Sequence, residues 1–272
     1  MTDLPSETEL DGFETLAAEL ARLAGAEIEA ALGRTLRVGY KGAEGSTRDP
    51  VSEVDEAVEQ ILRARIGASH PKHDIIGEEM DDRPGRDHDH VWAVDPVDGT
   101  ANFINGLPLF SASIGLLVRG RPVVGALWCS TSHRLRPGVY SARAGGPLRF
   151  DGTEVTRAAT RGIRRRLIGL PEPAAMPDTG FDVRKTGSAA IECAFVAAGL
   201  LAGARFATPN VWDVAGGVAL VRAAGGTVRC GGPEGWAEMD GFLDGAPDGD
   251  LARWGRPLML GTAEAVEVMA QG

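Results

Sequence analysis

The 272-residue chain carries 38 acidic against 28 basic side chains, a net charge of −10, and is 43% hydrophobic and 24% charged. That is the make-up of an ordinary globular α/β protein with a sizeable core, and it argues against a general nucleic-acid binder, which shows a basic footprint. Cys129, Cys193 and Cys230 are few and far apart with no CxxC spacing, which leaves neither a disulfide framework nor a zinc site and suits buried core cysteines.

The amino terminus is acidic and lacks an apolar signal core, and no apolar stretch of about 18 residues follows, so a cytoplasmic protein that does not enter membranes is expected. Residues 12–32 place Phe13, Leu16, Ala17, Leu20, Leu23, Ala24 and Ile28 on one helical face. A strand is expected over 35–40, then a polar, glycine-bearing loop over 41–50. Ser52 opens a second helix with Val54, Val58, Ile61, Leu62 and Ile66 on its buried face; Ser52 and Asp55 have the spacing of a capping box, and Pro71 closes the helix. Residues 73–79 read as a short strand ending in the carboxylates Glu78 and Glu79. The charge-dense stretch 80–90 reads as a solvated loop, with His88 and His90 on it rather than in a ligand set.

Residues 91–103, VWAVDPVDGTANF, are the centre of the chain. An apolar run ends at Asp95, and Pro96, which fixes φ and lacks a donor, is expected to stop the strand. In the resulting turn Asp95 and Asp98 can face one side with the Val97 carbonyl between them, which are the hard oxygen ligands that Mg²⁺ accepts. Gly99 has no side chain to hold a ligand off. A helix starting at Thr100 would aim the amides of Gly99 and Thr100 at an anion such as phosphate. The competing reading is an Asp-rich turn that only caps a helix.

Beyond it, 111–118 and 122–128 form a hairpin around Arg119, Gly120 and Arg121, and a glycine-rich β-like region runs to about residue 155. The basic cluster 161–166 is either a solvated segment ahead of a strand at 167–170 or a contact for phosphate or a partner. A proline-rich surface loop, 171–180, leads to a helix near Ser188 with Ile191, Ala194, Phe195, Ala198 and Leu201 on one face. The helix 212–224 is apolar almost all round and should be deeply buried. Asp213 in its first turn is a capping residue or a ligand, since a desolvated carboxylate needs a partner. A strand at 256–260 and a helix at 263–269 close the chain.

Taken together, GEE (77–79), DPVDGTANF (95–103) and WDVAGG (212–217) resemble the three motifs of the inositol monophosphatase family, Mg²⁺-dependent and lithium-sensitive phosphatases. DPVSEVD (49–55), RKTGSAA (184–190) and GRPLMLG (255–261) extend the resemblance over nearly the whole chain. The expected fold is an α/β (α+β) layered sandwich, αβαβα. We expect one phosphatase domain of two halves: about 1–135, with helices over an antiparallel sheet, and about 136–272, with a smaller mixed sheet and helices. The metals should lie between the halves.

The resemblance implies that Glu78, Asp95, the Val97 carbonyl, Asp98 and Asp213 hold two or three Mg²⁺ ions, with Mn²⁺ as a substitute. It makes Glu78, Thr100 and Asp55 catalytic, orienting the attacking water. It places Asp98, Gly99, Thr100, Gly187, Ser188, Ala189 and Asp213 against the substrate, and it implies a homodimer. Asp55 has a second claim on it, because a carboxylate that completes the capping box of Ser52 cannot fully serve Thr100 as well. Lys41 or Glu44 takes the place of a lysine common in the family. Inositol-selective members carry a glutamate seven residues before the acid of the third motif, and here that position is Phe206. Arg205 beside it then becomes the candidate for a second anionic group. The expected partner is a small phosphate ester, with no nucleic acid and no membrane. An inositol, polyol or sugar monophosphate leads; histidinol phosphate, fructose 1,6-bisphosphate and adenosine 3′,5′-bisphosphate stay open. From another class, a non-catalytic regulatory protein on the same fold is the rival.

Overall fold

A computed structural model describes residues 4–41, 49–82, 87–156, 166–171 and 180–271. Glu44, the His88 side chain, residues 161–165 and most of the loop 171–180 therefore lie outside the described residues. Helix α1 (Glu7–Ala31) begins earlier than the apolar periodicity suggested, because Ser6 and Glu9 form a reciprocal capping box ahead of the first buried residue, Leu10. A two-stranded ribbon of β1 (Val38–Tyr40) and β2 (Pro50–Ser52) leads into α2 (Glu53–Ser69). There follow β3 (His73–Gly77), β4 (Asp87–Asp98), α3 (Thr100–Asn105), β5 (Ser111–Val118), β6 (Arg121–Cys129), β7 (Gly138–Arg143), β8 (Arg149–Phe150) and β9 (Thr153–Glu154). Strands β3 to β9 lie side by side in chain order as one sheet, which reaches past residue 135.

The rest of the chain gives β10 (Arg166–Gly169), β11 (Phe181–Arg184), α4 (Ala189–Ala198), β12 (Gly203–Phe206), α5 (Val211–Ala223), β13 (Thr227–Gly232), β14 (Gly235–Glu238), β15 (Leu258–Gly261) and α6 (Ala263–Ala270). Its six strands form a mixed sheet in the order β11-β10-β12-β15-β13-β14.

Alternation along β4 separates the layers. Trp92 and Val94 point into a cluster with Leu20, Ile28, Leu62 and Ile66 of α1 and α2. Val91 and Ala93 point the other way, into a cluster with Ala194 of α4, Val214 and Val218 of α5, and Leu258 and Leu260 of β15. A third cluster joins Met259 of β15 to Val266 and Met269 of α6. The order of layers is thus helices, sheet, helices, sheet, helix, the five-layered sandwich the sequence led us to expect. Cys129, Cys193 and Cys230 are free and buried within it. No helix of the described residues is long and apolar enough to cross a membrane.

Three details depart from expectation. The first sheet is not wholly antiparallel, because β3 and β4 pair in parallel with Gly77 opposite Val94. That pairing runs both strands the same way, so Glu78 and Asp95, the residues after the last pair, come out side by side. The stretch 80–90 is not all loop: β4 starts at Asp87, and His90 stacks on His73, which stacks on His70, with ring centroids 4.6 Å apart in each pair. Finally, β4 does not stop at Pro96 but runs through it to Asp98.

Helix α5 approaches the first sheet unusually closely. Ala93, Gly115 and Gly125 sit opposite one another on β4, β5 and β6, forming a shallow groove of small residues. The backbone of Gly216 lies in it: a Cβ at Gly125 would fall 2.1 Å from the Gly216 carbonyl oxygen, and one at Gly115 2.7 Å from the Gly216 nitrogen. On its other side, a Cβ at Gly217 would meet Cys193 of α4 at 2.3 Å. No side chain larger than hydrogen fits at these points.

Candidate active site

Register explains how the central acids come together. Asp95 pairs with Ser113 and Asp98 with Ser111, so three steps on β4 oppose two on β5. This is a β-bulge, and the extra residue cancels the alternation that would otherwise turn residues 95 and 98 to opposite faces. Pro96 stands inside the bulge, where its missing N–H leaves no broken pair. Gly99 follows at φ +88, and a Cβ there would lie 3.1 Å from both the Leu109 carbonyl oxygen and the Ser188 Cβ. Glycine is therefore needed at this position for backbone conformation and for the close approach of the second half of the chain.

Glu78 is positioned from α2. Glu59, fully buried, accepts from Arg63 Nε (2.7 Å) and from the Glu79 amide (2.8 Å). Arg63 also donates to the Met80 and Asp82 carbonyls, both at 2.6 Å. This buried pair fixes the chain as it leaves β3, and a Cβ at Gly77 would collide with Glu59 at 2.2 Å. Lys41 Nζ donates to both Glu78 Oε1 and Glu79 Oε1, each at 2.8 Å. Burial works against the ammonium, but the two glutamates hold its pKa above the ordinary lysine value. Glu79 is pushed up to about 7 by burial, with Lys41 opposing.

Asp98 is held from across the molecule. The Ser188 hydroxyl donates to Asp98 Oδ2, as do the Ala190 amide (2.7 Å) and the Ser111 hydroxyl (3.1 Å), while the Ala189 amide reaches Oδ1 at 3.2 Å. The carboxylate of β4 thus sits at the amino terminus of α4, where amides and helix dipole favour negative charge. Asp213 opens α5 and accepts from the Asn210 amide at 2.7 Å, so it does close a capping box. It also faces the other acids. Burial first, then Asp98 and Glu78, push the Asp213 carboxyl far above its usual range. Burial, then Glu78, Asp98 and Asp213, do the same to Asp95. Asp98 is raised by burial too, against its four donors. Glu78, Asp95, Asp98 and Asp213 thus stand within one another's fields, and their charges disfavour the ionised forms of Asp95 and Asp213.

Asp95 Oδ1 and Trp212 Nε1 are buried without a hydrogen-bond partner among the described residues. A buried carboxylate oxygen left in this way calls for a cation. The donors, four carboxylates and the Val97 carbonyl, are the hard oxygens that Mg²⁺ takes. Among the described residues, no three acidic, histidine or cysteine side chains yet converge closely enough to hold one ion. In this conformation Lys41, Ser188 and Asn210 satisfy the acids instead. The donor set and the orphaned oxygen fit a divalent cation.

The competition for Asp55 does not arise. Oδ2 accepts from the Ser52 amide (2.9 Å) and hydroxyl (2.5 Å) as the capping box, while Oδ1 accepts from Thr100 Oγ1 at 2.8 Å. The two roles fall to different oxygens of one fully buried carboxylate, whose pKa is raised by burial against those bonds. Thr100 Oγ1 also lies 2.9 Å from the Val97 carbonyl oxygen.

Of the residues expected on the substrate side, Gly187, Ser188 and Ala189 stand beside Asp98 and line a cavity of about 170 Å³ together with Arg205 and Phe206, with Glu192 also in its wall. Gly187 takes φ +79. Phe206 is 8% exposed and packs into the middle layer. Arg205 alternates with it: its guanidinium lies over Trp236, 5.2 Å from the ring centroid, and donates to the Met269 carbonyl at 3.2 Å. The sequence reading overlooked Ser111, Glu59, Asn102, Thr186 and Glu192. The Asn102 amide donates to the Leu109 (2.6 Å) and Thr186 (2.8 Å) carbonyls, and Glu192 accepts from Thr186. Burial pushes the Glu192 carboxyl up to about 7, against the bonds from Thr186. The one available signal was a charged residue inside an otherwise apolar helix.

The family model described as "Inositol monophosphatase family" matches residues 9–256. Inositol-1-monophosphatase of Synechocystis sp. is 33% identical over 233 residues, covering 82% of this chain and 80% of that protein. Nus factor SuhB of Salmonella typhimurium is 33% identical over 228 residues, covering 79% and 83%. The solved inositol monophosphatase from Anabaena (Nostoc) sp. superimposes with a TM-score of 0.73 at 26% identity, over 97% of this chain and 96% of that one.

Proposed function

The chain belongs to the inositol monophosphatase family, and from that premise we propose that it is a phosphatase that hydrolyses a small phosphate monoester with Mg²⁺. The observation that carries the proposal is the coupled set Glu78, Asp95, Asp98 and Asp213, with Asp95 Oδ1 buried and unpartnered. With the Val97 carbonyl these acids would hold two or three Mg²⁺, or Mn²⁺ in its place. Such ions supply the positive charge that makes water nucleophilic at neutral pH and that neutralises the leaving alkoxide.

The chain's own groups do the positioning. Thr100 has one hydroxyl proton, which it donates in a hydrogen bond to Asp55 Oδ1. The lone pairs of Thr100 Oγ1 are then available to accept a hydrogen bond from the attacking water, with Glu78 as the second acceptor, so that the two orient it. The amides of Gly99 and Thr100 bind the phosphoryl oxygens. Gly187, Ser188, Ala189 and Phe206 border the leaving group. Among the described residues no serine, cysteine or histidine stands in a nucleophile's setting, which favours direct attack by water. The favoured substrate is an inositol, polyol or sugar monophosphate; Phe206, which accepts no hydrogen bond, weighs against strict inositol selectivity. Histidinol phosphate, fructose 1,6-bisphosphate and adenosine 3′,5′-bisphosphate complete the panel.

The test is phosphate release from that panel with Mg²⁺, with EDTA and with added Li⁺. Turnover of one member that requires Mg²⁺ and falls with Li⁺ supports the proposal, and turnover that persists in EDTA refutes it. A second reading, favoured by the relatives named Nus factor SuhB, is a regulatory role exercised through protein partners. Asp98→Ala separates the readings: the phosphatase loses turnover by orders of magnitude, and a regulator keeps its partner.

A further inference from the structure

Three of the four donors to Asp98 belong to the start of α4: the Ser188 hydroxyl and the amides of Ala189 and Ala190. Whatever fixes that helix start therefore fixes Asp98. It is fixed from inside the helix. Glu192 Oε1 accepts from the Thr186 amide at 3.2 Å and from Thr186 Oγ1 at 2.9 Å, while the Ser188 amide leans on Thr186 Oγ1 at 3.3 Å. The Thr186 carbonyl is taken by Asn102 of α3 at 2.8 Å, and Gly187 at φ +79 makes the turn between. Glu192 is 5% exposed and cannot swing away toward β10, where even a Cβ at Gly169 would lie 2.5 Å from its Oε2. A buried carboxyl in an apolar helix is costly unless its bonds matter, and those it makes hold the turn.

We propose that Glu192 is a positioning residue for Asp98: it clamps the 186–188 turn, and thereby sets the Ser188 hydroxyl and the first amides of α4 in the places that orient Asp98 for a divalent cation. The proposal rests on reading the acids as an Mg²⁺ site. Groups behind a metal ligand are worth about 10–100-fold in metal affinity when removed.

The test is calorimetric titration of MgCl₂ into the full chain, with thermal unfolding alongside. Glu192→Ala should weaken Mg²⁺ binding by about tenfold or more. Glu192→Gln keeps an Oε1 acceptor for both Thr186 donors and should stay within about threefold of wild type, a rescue that mere space-filling would not predict. If Glu192→Ala lowers the melting temperature yet binds Mg²⁺ as wild type does, Glu192 only holds the fold and the proposal is overturned. Should that variant fail to fold, Thr186→Val is read in its place: weakening by about threefold supports the clamp and unchanged affinity overturns it. A wild-type chain that binds no Mg²⁺ overturns the clamp together with the metal site. One that binds Mg²⁺ but cleaves no phosphate ester refutes the phosphatase reading and still allows the clamp to be judged by the affinities.

Discussion

The sharpest test of how the acids are assembled is Gly125→Ala, a methyl group added on β6 at a distance from every carboxylate. Its Cβ would fall 2.1 Å from the Gly216 carbonyl oxygen, and both atoms belong to backbone in regular structure, so neither can rotate aside. Restoring an ordinary contact requires α5 to lift from the sheet by roughly 1 Å. Overpacking of this kind costs about 1–3 kcal/mol, which corresponds to a fall in melting temperature of roughly 2–5 °C for a chain of this size. Asp213 lies one helical turn before Gly216, so the lift carries it away from Asp95 and Asp98. A displacement of about 1 Å can cost roughly 100-fold in rate. The assays are thermal unfolding, Mg²⁺ titration and phosphate release on the same preparation. Gly125→Ala with wild-type stability and wild-type Mg²⁺ affinity would show that the small-residue groove does not set the position of Asp213.

Gly12→Ala is the matching control: a Cβ at Gly12, inside α1, meets nothing within 4 Å, so the variant should gain about 1 kcal/mol from helix propensity, and a loss of melting temperature would contradict that. Asp55→Ala removes an acceptor for Ser52 and for Thr100 together. We expect it to lose about 1 kcal/mol from the helix cap and at least ~100-fold in turnover, whereas Asp55→Asn, which keeps acceptor oxygen, should recover most of the stability; equal turnover in Asp55→Ala and wild type would remove Asp55 from the chemistry. Glu192 supplies a pH dependence. Its folded-state pKa of about 7 lies above the ordinary 4.5, so the folded chain holds its proton while the unfolded chain releases it. The associated stability is complete below pH 4.5 and is lost as pH rises from there through about 7. Melting curves of wild type and Glu192→Gln should therefore diverge across that window, and curves that stay parallel would refute the assignment.

Much of this was legible because the relevant rules are local. Helical periodicity located α2, α4 and α5, and the acids at the ends of β3 and β4 pointed to hard-cation chemistry. What escaped was set by pairing between distant segments. The parallel register of β3 with β4 is not visible in either strand, nor is the bulge that carries β4 through Pro96, since a proline in a strand ordinarily marks its end. Asp55 was read as having to choose between two partners, because a one-letter code does not show that a carboxylate has two oxygens facing different ways. Arg205 was named for its charge alone; that its guanidinium lies over Trp236 is not visible in the sequence. Glu59, Thr186 and Glu192 act through other residues, and such groups leave no spacing of their own in a sequence.

The bulge between Asp95 and Asp98 has an implication for how such a site can be lost or redesigned. Its geometry is written in the number of residues rather than in their kind. Substitution at Pro96 or Val97 alters fit but leaves the count, and both acids still face α4 and α5. Removing a single residue from this stretch would leave the two acids two apart, still on one face by plain alternation but with one residue between them instead of two; it is regular pairing of the full stretch that would turn Asp98 toward the hydrocarbon layer under α1 and α2. Deletions in this segment should therefore change the spacing of the two acids while substitutions leave it, so the two kinds of library would report on different properties of the same four positions.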